Sequence, residues 1–129
     1  MAKEDYQKNV FGDPLEVCSM DPLTGYYRDG YCRTGPGDSG SHTVAAVISN
    51  DFLQFQKSVG NDLITPKPYY NFPGLKPGNR WAVCASRWLQ SYKAGFACKV
   101  ILSATNIRAL DFIPFEYLKE YEYKGNEDL

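Results

Sequence analysis

The sequence predicts an α+β fold: a mixed β-sheet backed by about three to four helices, with a turn-rich N-terminal segment containing a β-hairpin. Three observations carry this expectation. Gly, Pro, Asp and Ser crowd the N-terminal third. Apolar runs of strand length start at His42, Arg80 and Lys99. Segments with helical spacing follow the first two of these runs. With 129 residues, 43% of them hydrophobic, the chain can fill one core of ordinary size, so a single domain over 1–129 is expected, with tails at 1–8 and 124–129.

In Asp21-Pro22-Leu23-Thr24-Gly25, the Asp accepts from backbone amides, the Pro presets φ and the Gly leaves the turn. Tyr26-Tyr27-Arg28 and Tyr31-Cys32-Arg33 then flank Asp29-Gly30, a dipeptide suited to a two-residue type I′ hairpin. Alternation would place Tyr26, Arg28, Tyr31 and Arg33 on one face, with Tyr27 and Cys32 on the other. After a loop at 34–41, the run 42–48 is apolar and β-branched without alternation, the pattern of a strand buried on both faces.

Asn50 is positioned to cap a helix carrying Phe52, Leu53, Phe55 and Val59, which Gly60-Asn61 stops. Residues 61–79 contain Pro66, Pro68, Pro73 and Pro77 with Gly74 and Gly78, and predict a long irregular surface segment held by Tyr69, Tyr70 and Phe72. A strand at 80–85, a helix at 86–94 stopped by Gly95 and a strand at 99–104 form a βαβ unit. Its crossover is near the minimum length for joining parallel neighbours. A short helix at 106–110 follows, and Pro114 opens a last helix with Phe115, Leu118 and Tyr121 on one face.

Charged residues make up 22% of the chain and nearly cancel, leaving a formal net charge of -1. No whole-protein field therefore draws in phosphate backbones or anionic lipid, and neither nucleic acid nor membrane is an expected partner. No apolar run approaches the roughly 18 to 20 residues that span a bilayer. The charged N-terminus lacks the apolar stretch of a secretory leader, so a cytoplasmic location is expected. The four cysteines, Cys18, Cys32, Cys84 and Cys98, include no CxxC spacing, which argues against a zinc ribbon or a thioredoxin-type pair.

The candidate catalytic residues are Cys18, Cys32 and His42: either thiol becomes a nucleophile if His42, Arg28 or Arg33 favours its thiolate. The candidate ligand-binding residues are Arg28, Asp29, Arg33 and Arg87. Guanidinium forks beside Tyr26, Tyr31 and Trp88 suit a small anionic molecule. Cys18, Cys32, His42 and Cys84 together have the composition of a Cys3His metal site, although Cys32 and Cys84 also read as core.

Gly37-Asp38-Ser39-Gly40 has the form of the trypsin-like nucleophile motif. That reaction needs a distant His base and a two-barrel fold, whereas the one histidine, His42, lies just past the serine in a short chain. Gly35 and Gly40 have the glycine spacing of a phosphate loop. Ser41-His42 replaces its Lys-Ser/Thr pair, however, and a strand follows in place of a helix.

The chain resembles the mainly bacterial family catalogued as domain of unknown function 2237. The resemblance is carried by Asn9-Val10-Phe11-Gly12, Cys18-Ser19, Asp21-Pro22, Thr24-Gly25, Arg28-Asp29-Gly30, Cys32 and Gly40-Ser41-His42-Thr43-Val44. It continues through Gly60-Asn61-Asp62-Leu63, Phe72-Pro73-Gly74-Leu75-Lys76-Pro77-Gly78, Arg80-Trp81, Cys84, Arg87-Trp88 and Ala104-Thr105. It implies no particular activity, substrate or cofactor. It also implies a more thiol-rich pattern, with cysteines where this chain has Tyr31, Ala45 and Ala82.

The residues favour a small-molecule-binding protein or enzyme with a pocket between 18–42 and the proline-rich loop, its cofactor open. The alternative is a protein-interaction module that presents the aromatic loop 66–81, and the third reading is a Cys/His metal-binding protein.

Overall fold

In the computed structural model, which describes residues 7–125, the run without alternation becomes the central strand, β1, His42–Val47. It lies between β2, Arg80–Cys84, and β3, Lys99–Val100, in the order β2-β1-β3, and is antiparallel to both. Val44, Ala46 and Ile48 enter the main core with Trp81, Val83 and Val100, while Ala45 joins Ala82, Cys18, Cys32 and Ala104 in a smaller cluster. Successive side chains of β1 thus meet apolar partners on opposite faces, which is why the sequence shows no polar alternation.

The α+β class therefore stands, with two corrections to the sheet. The expected mixed sheet is antiparallel in its strands, and parallel pairing among the described residues is confined to a bridge between Val100 and Glu122. The two strands of the expected βαβ unit do run the same way, but β1 lies between them because its backbone is paired from both sides. The strand expected over 99–104 also stops at Val100. Beyond it, the Thr105 hydroxyl accepts from Ala45 N at 3.1 Å and Asn106 N donates to Thr43 O at 2.9 Å, so β1 is satisfied without a longer partner.

Three α-helices are present among the described residues: α1, Asn50–Ser58, α2, Ala85–Ala94, and α3, Phe115–Glu120. Ser49, not Asn50, caps α1, its Oγ accepting from Phe52 N at 3.2 Å. Phe52 and Leu53 are buried in the main core. α2 ends at Gly95 in the left-handed region, and its buried face carries Trp88. The helix expected at 106–110 is a 3-10 turn, Ile107–Asp111, capped by Asn106.

The expected hairpin is realised only in part. The chain reverses, and Cys18 N and Ser19 N both donate to Gly30 O, but residues 26–33 form turns and bends instead of a ladder. The reason is local. Asp29 Oδ1 accepts from Tyr31 N, and Arg28 adopts a left-handed φ of 54°, so side-chain bonding replaces cross-strand pairing. This turn segment docks on the outer edge of β2, where the buried Thr24 hydroxyl accepts from Ala82 N at 2.8 Å. Of the expected tails, 1–6 and 126–129 lie outside the described residues. Gln7 is hydrogen-bonded to Thr34 and Asn106, and Tyr123 N donates to Val100 O.

Candidate functional site

Antiparallel register places His42, the first residue of β1, opposite Cys84, the last residue of β2. Residues paired across a sheet project to the same face, so the imidazole and the thiol meet, with Nε2 3.3 Å from Sγ. Cys84 also directly precedes Ala85, where α2 begins, and a helix N-terminus favours negative charge.

The third member comes from the loop before β1, where Asp38 N donates to Gly35 O and Ser41 N to Asp38 O. These turns hold the Asp38 carboxylate with no exposed surface, while the His42 side chain remains 34% exposed. Asp38 Oδ1 lies 2.6 Å from His42 Nδ1, and Oδ2 accepts from Thr34 Oγ1 and His42 N, each at 3.0 Å. A carboxylate anchored at both oxygens fixes the ring that it touches. Tyr26 stacks on the imidazole with ring centroids 5.9 Å apart, and its hydroxyl donates to Gly37 O.

Gly40 leaves little room here for a larger residue. A Cβ at this position would lie 3.0 Å from Cys84 Sγ and 3.3 Å from His42 Cε1.

The hydrogen bond to Cys84 is the largest influence on His42 and raises it from 6.5 to about 9. Asp38 adds to the rise, and burial opposes it. The ring is therefore an imidazolium at neutral pH, with one proton on each nitrogen. One proton faces a carboxylate and the other faces sulfur.

The sequence candidates separate into distinct places. Cys18 and Cys32 are buried together with Ala45, Ala82 and Ala104, and burial, reinforced by Cys18, pushes the Cys32 thiol well up. Cys84, which the sequence assigns to core or metal, is instead the partner of His42. The four proposed metal ligands do not form one set. Cys84 meets His42 while Cys18 and Cys32 lie in the apolar cluster, and no group of three or more ligands suited to a metal converges among the described residues.

Arg33 and Asp29 form an ion pair at 3.0 Å, with Arg33 also over the Tyr31 ring, and Arg87 turns to Gln90 on α2. Arg28 differs from these. Its guanidinium lies 5.1 Å from the Trp81 centroid, and Nη1 donates to Gly25 O at 2.7 Å. Asp38 is the member that sequence reasoning misses, because Gly37-Asp38-Ser39-Gly40 draws the eye to its serine. The available signal was the four-residue separation of Asp38 from His42 across a glycine turn.

Two cavities flank the site. One of about 190 Å³ lies between the N-terminal turns and the proline-rich segment, lined in part by Arg28, His42, Asp62, Lys67, Phe72 and Trp81. The other, about 670 Å³, lies behind the Asp38 loop and is lined by Thr34, Ser39, Asn106, Arg108 and Phe112 among others. Asp38 lines the larger cavity and His42 the smaller one, and Cys84 lines neither, so the smaller recess is the one bordered by the imidazole.

Among the described residues no helix is long and apolar enough to cross a membrane. No curated protein matches the chain. Residues 8–122 match the model of the family described as an uncharacterized protein conserved in bacteria (DUF2237), and the chain belongs to that family.

Proposed function

We propose that the protein is a cysteine-dependent enzyme of acyl transfer or hydrolysis, with Cys84 as nucleophile, His42 as acid and base, and Asp38 as the positioning carboxylate. The single observation that carries this reading is the continuous contact Cys84 Sγ to His42 Nε2, and His42 Nδ1 to Asp38 Oδ1, at 3.3 and 2.6 Å. In the reaction, Cys84 sulfur attacks the carbonyl carbon of an acyl donor, and the carbonyl π electrons move to oxygen. Collapse expels the leaving group, which takes the Nε2 proton of His42. Water then attacks the thioester, His42 accepts its proton, and the acid leaves as the thiolate–imidazolium pair reforms. A reducing cytoplasm suits four free thiols.

Iodoacetamide labelling at neutral pH, read by peptide mass spectrometry, tests the nucleophile. Cys84 is expected to react at least about tenfold faster than Cys18, Cys32 and Cys98, and His42→Asn is expected to slow it by about tenfold or more. Equal labelling of all four cysteines, or a rate at Cys84 indifferent to His42→Asn, would sink the reading. Incubation with p-nitrophenyl acetate then asks for an acetyl group on Cys84 and its turnover.

A second reading, an interaction surface, rests on Tyr69 and Tyr70, which are 99% and 70% exposed. Loss of a specific binding partner in Tyr69→Ala, with Cys84 labelling unchanged, would favour it.

A further inference from the structure

The recess beside His42 is cationic and aromatic in composition. Arg28 and Lys67 line it together with His42, against one carboxylate, Asp62. That carboxylate is already engaged by its own turn: Oδ1 accepts from Ile64 N and Thr65 N, and Oδ2 from Thr65 Oγ1. Three donors of its own turn thus engage it, whereas the cations keep unused donors. Lys67 Nζ makes a hydrogen bond to the Asp62 carbonyl and lies 5.7 Å from the Phe72 ring centroid. An ammonium has three donors.

Arg28 is the more telling of the two cations. It adopts a left-handed backbone conformation that costs energy for a residue with a Cβ, and its guanidinium lies over Trp81. Among the described residues its Nε is buried and has no hydrogen-bond partner. A buried guanidinium donor without an acceptor is costly, and the same side chain lines the recess that an anion would enter. The volume, about 190 Å³, is below the roughly 300 to 1,000 Å³ of sites for drug-sized ligands, so the occupant is small.

We infer that this recess is an anion subsite, in which Arg28 and Lys67 hold a carboxylate or phosphate on a small acyl substrate beside Cys84. The inference rests on the thiol-nucleophile reading for the word substrate, while anion binding itself stands on the recess alone. The His42 ring borders the recess and touches Sγ on its own edge, so a bound anionic group is one imidazole away from the nucleophile. Trp81 and Phe72 meet edge to face at 5.3 Å and supply an apolar wall for the carbon chain.

Two alkylating agents that differ in charge test the subsite. The ratio of iodoacetate to iodoacetamide rates at Cys84 is expected to exceed the ratio at a free thiol in solution. Arg28→Gln and Lys67→Gln should each lower it by about threefold or more. Arg108→Gln, in the other cavity, is the control for net charge and should leave the ratio unchanged. A ratio insensitive to Arg28→Gln and Lys67→Gln overturns the subsite.

If iodoacetamide fails to label Cys84, the nucleophile reading falls. The subsite is then decided by the chain's one histidine, His42, observed by NMR. Inorganic phosphate at constant pH should shift the His42 signal saturably, and Lys67→Gln or Arg28→Lys should weaken that binding. A linear, non-saturating shift in the native protein overturns the proposal. Arg28→Lys retains the charge, and it keeps the test valid if Arg28→Gln does not fold.

Discussion

Two pairs of reactive side chains, one packed against the small sheet and one at the end of its strands, behave in opposite ways. Cys18 and Cys32 are enclosed by Ala45, Ala82 and Ala104, and burial drives the Cys32 thiol away from ionisation. Cys84 sits at the end of β2 where the ladder stops, half-buried, against an imidazole that is itself held by a buried carboxylate. The difference teaches that surroundings, not cysteine count, select the thiol. Cys18 and Cys32 lie in the N-terminal turn segment, outside the strands, and are covered where it packs on Ala45 and Ala82. At the ladder's end, loop and helix start can bring a thiol a charged partner and solvent access.

The sharpest way to break the contrast is to remove the carboxylate that only the second pair possesses. Asp38→Ala deletes acceptors for Thr34 Oγ1, His42 N and His42 Nδ1. It should cost about 3 kcal/mol in urea denaturation, since each bond to a buried charge contributes roughly 1.5–3 kcal/mol and the site relaxes in part. Labelling of Cys84 in the folded variant should fall by about tenfold or more, because the ring loses its fixed orientation. An Asp38→Ala protein with native stability and undiminished labelling would remove Asp38 from the site.

Gly40→Ala is a finer probe. The added methyl presses on Sγ and the imidazole edge without removing any polar group, so Cys84 labelling should slow by about three- to tenfold with little change in melting temperature. A rate equal to that of the native protein would mean that the pair tolerates displacement.

The pH dependence of stability separates the two pairs by window, and is the smallest of the three effects. His42 is raised in the fold, so its contribution is complete below about 6.5 and is lost as pH rises through about 9. The Cys32 thiol is also raised. The unfolded chain releases that proton near 9 while the fold retains it, and stability falls further above that pH. Urea midpoints should therefore decline from pH 6.5 to 9 in the native protein and in Cys32→Ala, and this slope should be reduced in Cys84→Ala. The decline above pH 9 should shrink in Cys32→Ala instead. Identical profiles in the two variants would erase the distinction between the thiols.

Much of the scaffold was legible in the residues. The unbroken apolar run at 42–48 marked a strand covered on both faces, and Gly60 and Gly95 marked where α1 and α2 end. The hairpin was less legible, because Asp29-Gly30 fits a type I′ turn and also fits the Asx-type bond from Tyr31 N that forms instead. The end of the 99–104 strand was hidden for a similar reason. Thr105 has a hydroxyl able to replace a ladder partner, and a β-branched residue reads as strand whether or not it does so.

At the site, the histidine and the reactive residue type were visible from composition, but the choice of thiol was not. Cys84 lies within an apolar strand in the sequence and resembles core, and only its place as the last strand residue distinguishes it from Ala82. Asp38 was hidden behind a more familiar motif, since its value depends on a turn that buries its carboxylate against His42.

By itself the sequence set the central strand, the first two α-helices, the near-neutral charge and the presence of one imidazole among four thiols, because these depend on residue type and local periodicity. Tertiary structure alone decided that His42 meets a cysteine 42 residues away, and that Cys32 is sealed in an apolar cluster. The physical reason is that register and burial are properties of how segments pair. A hydrogen bond across a sheet, or the dielectric around a thiol, exists only once the second strand is in place.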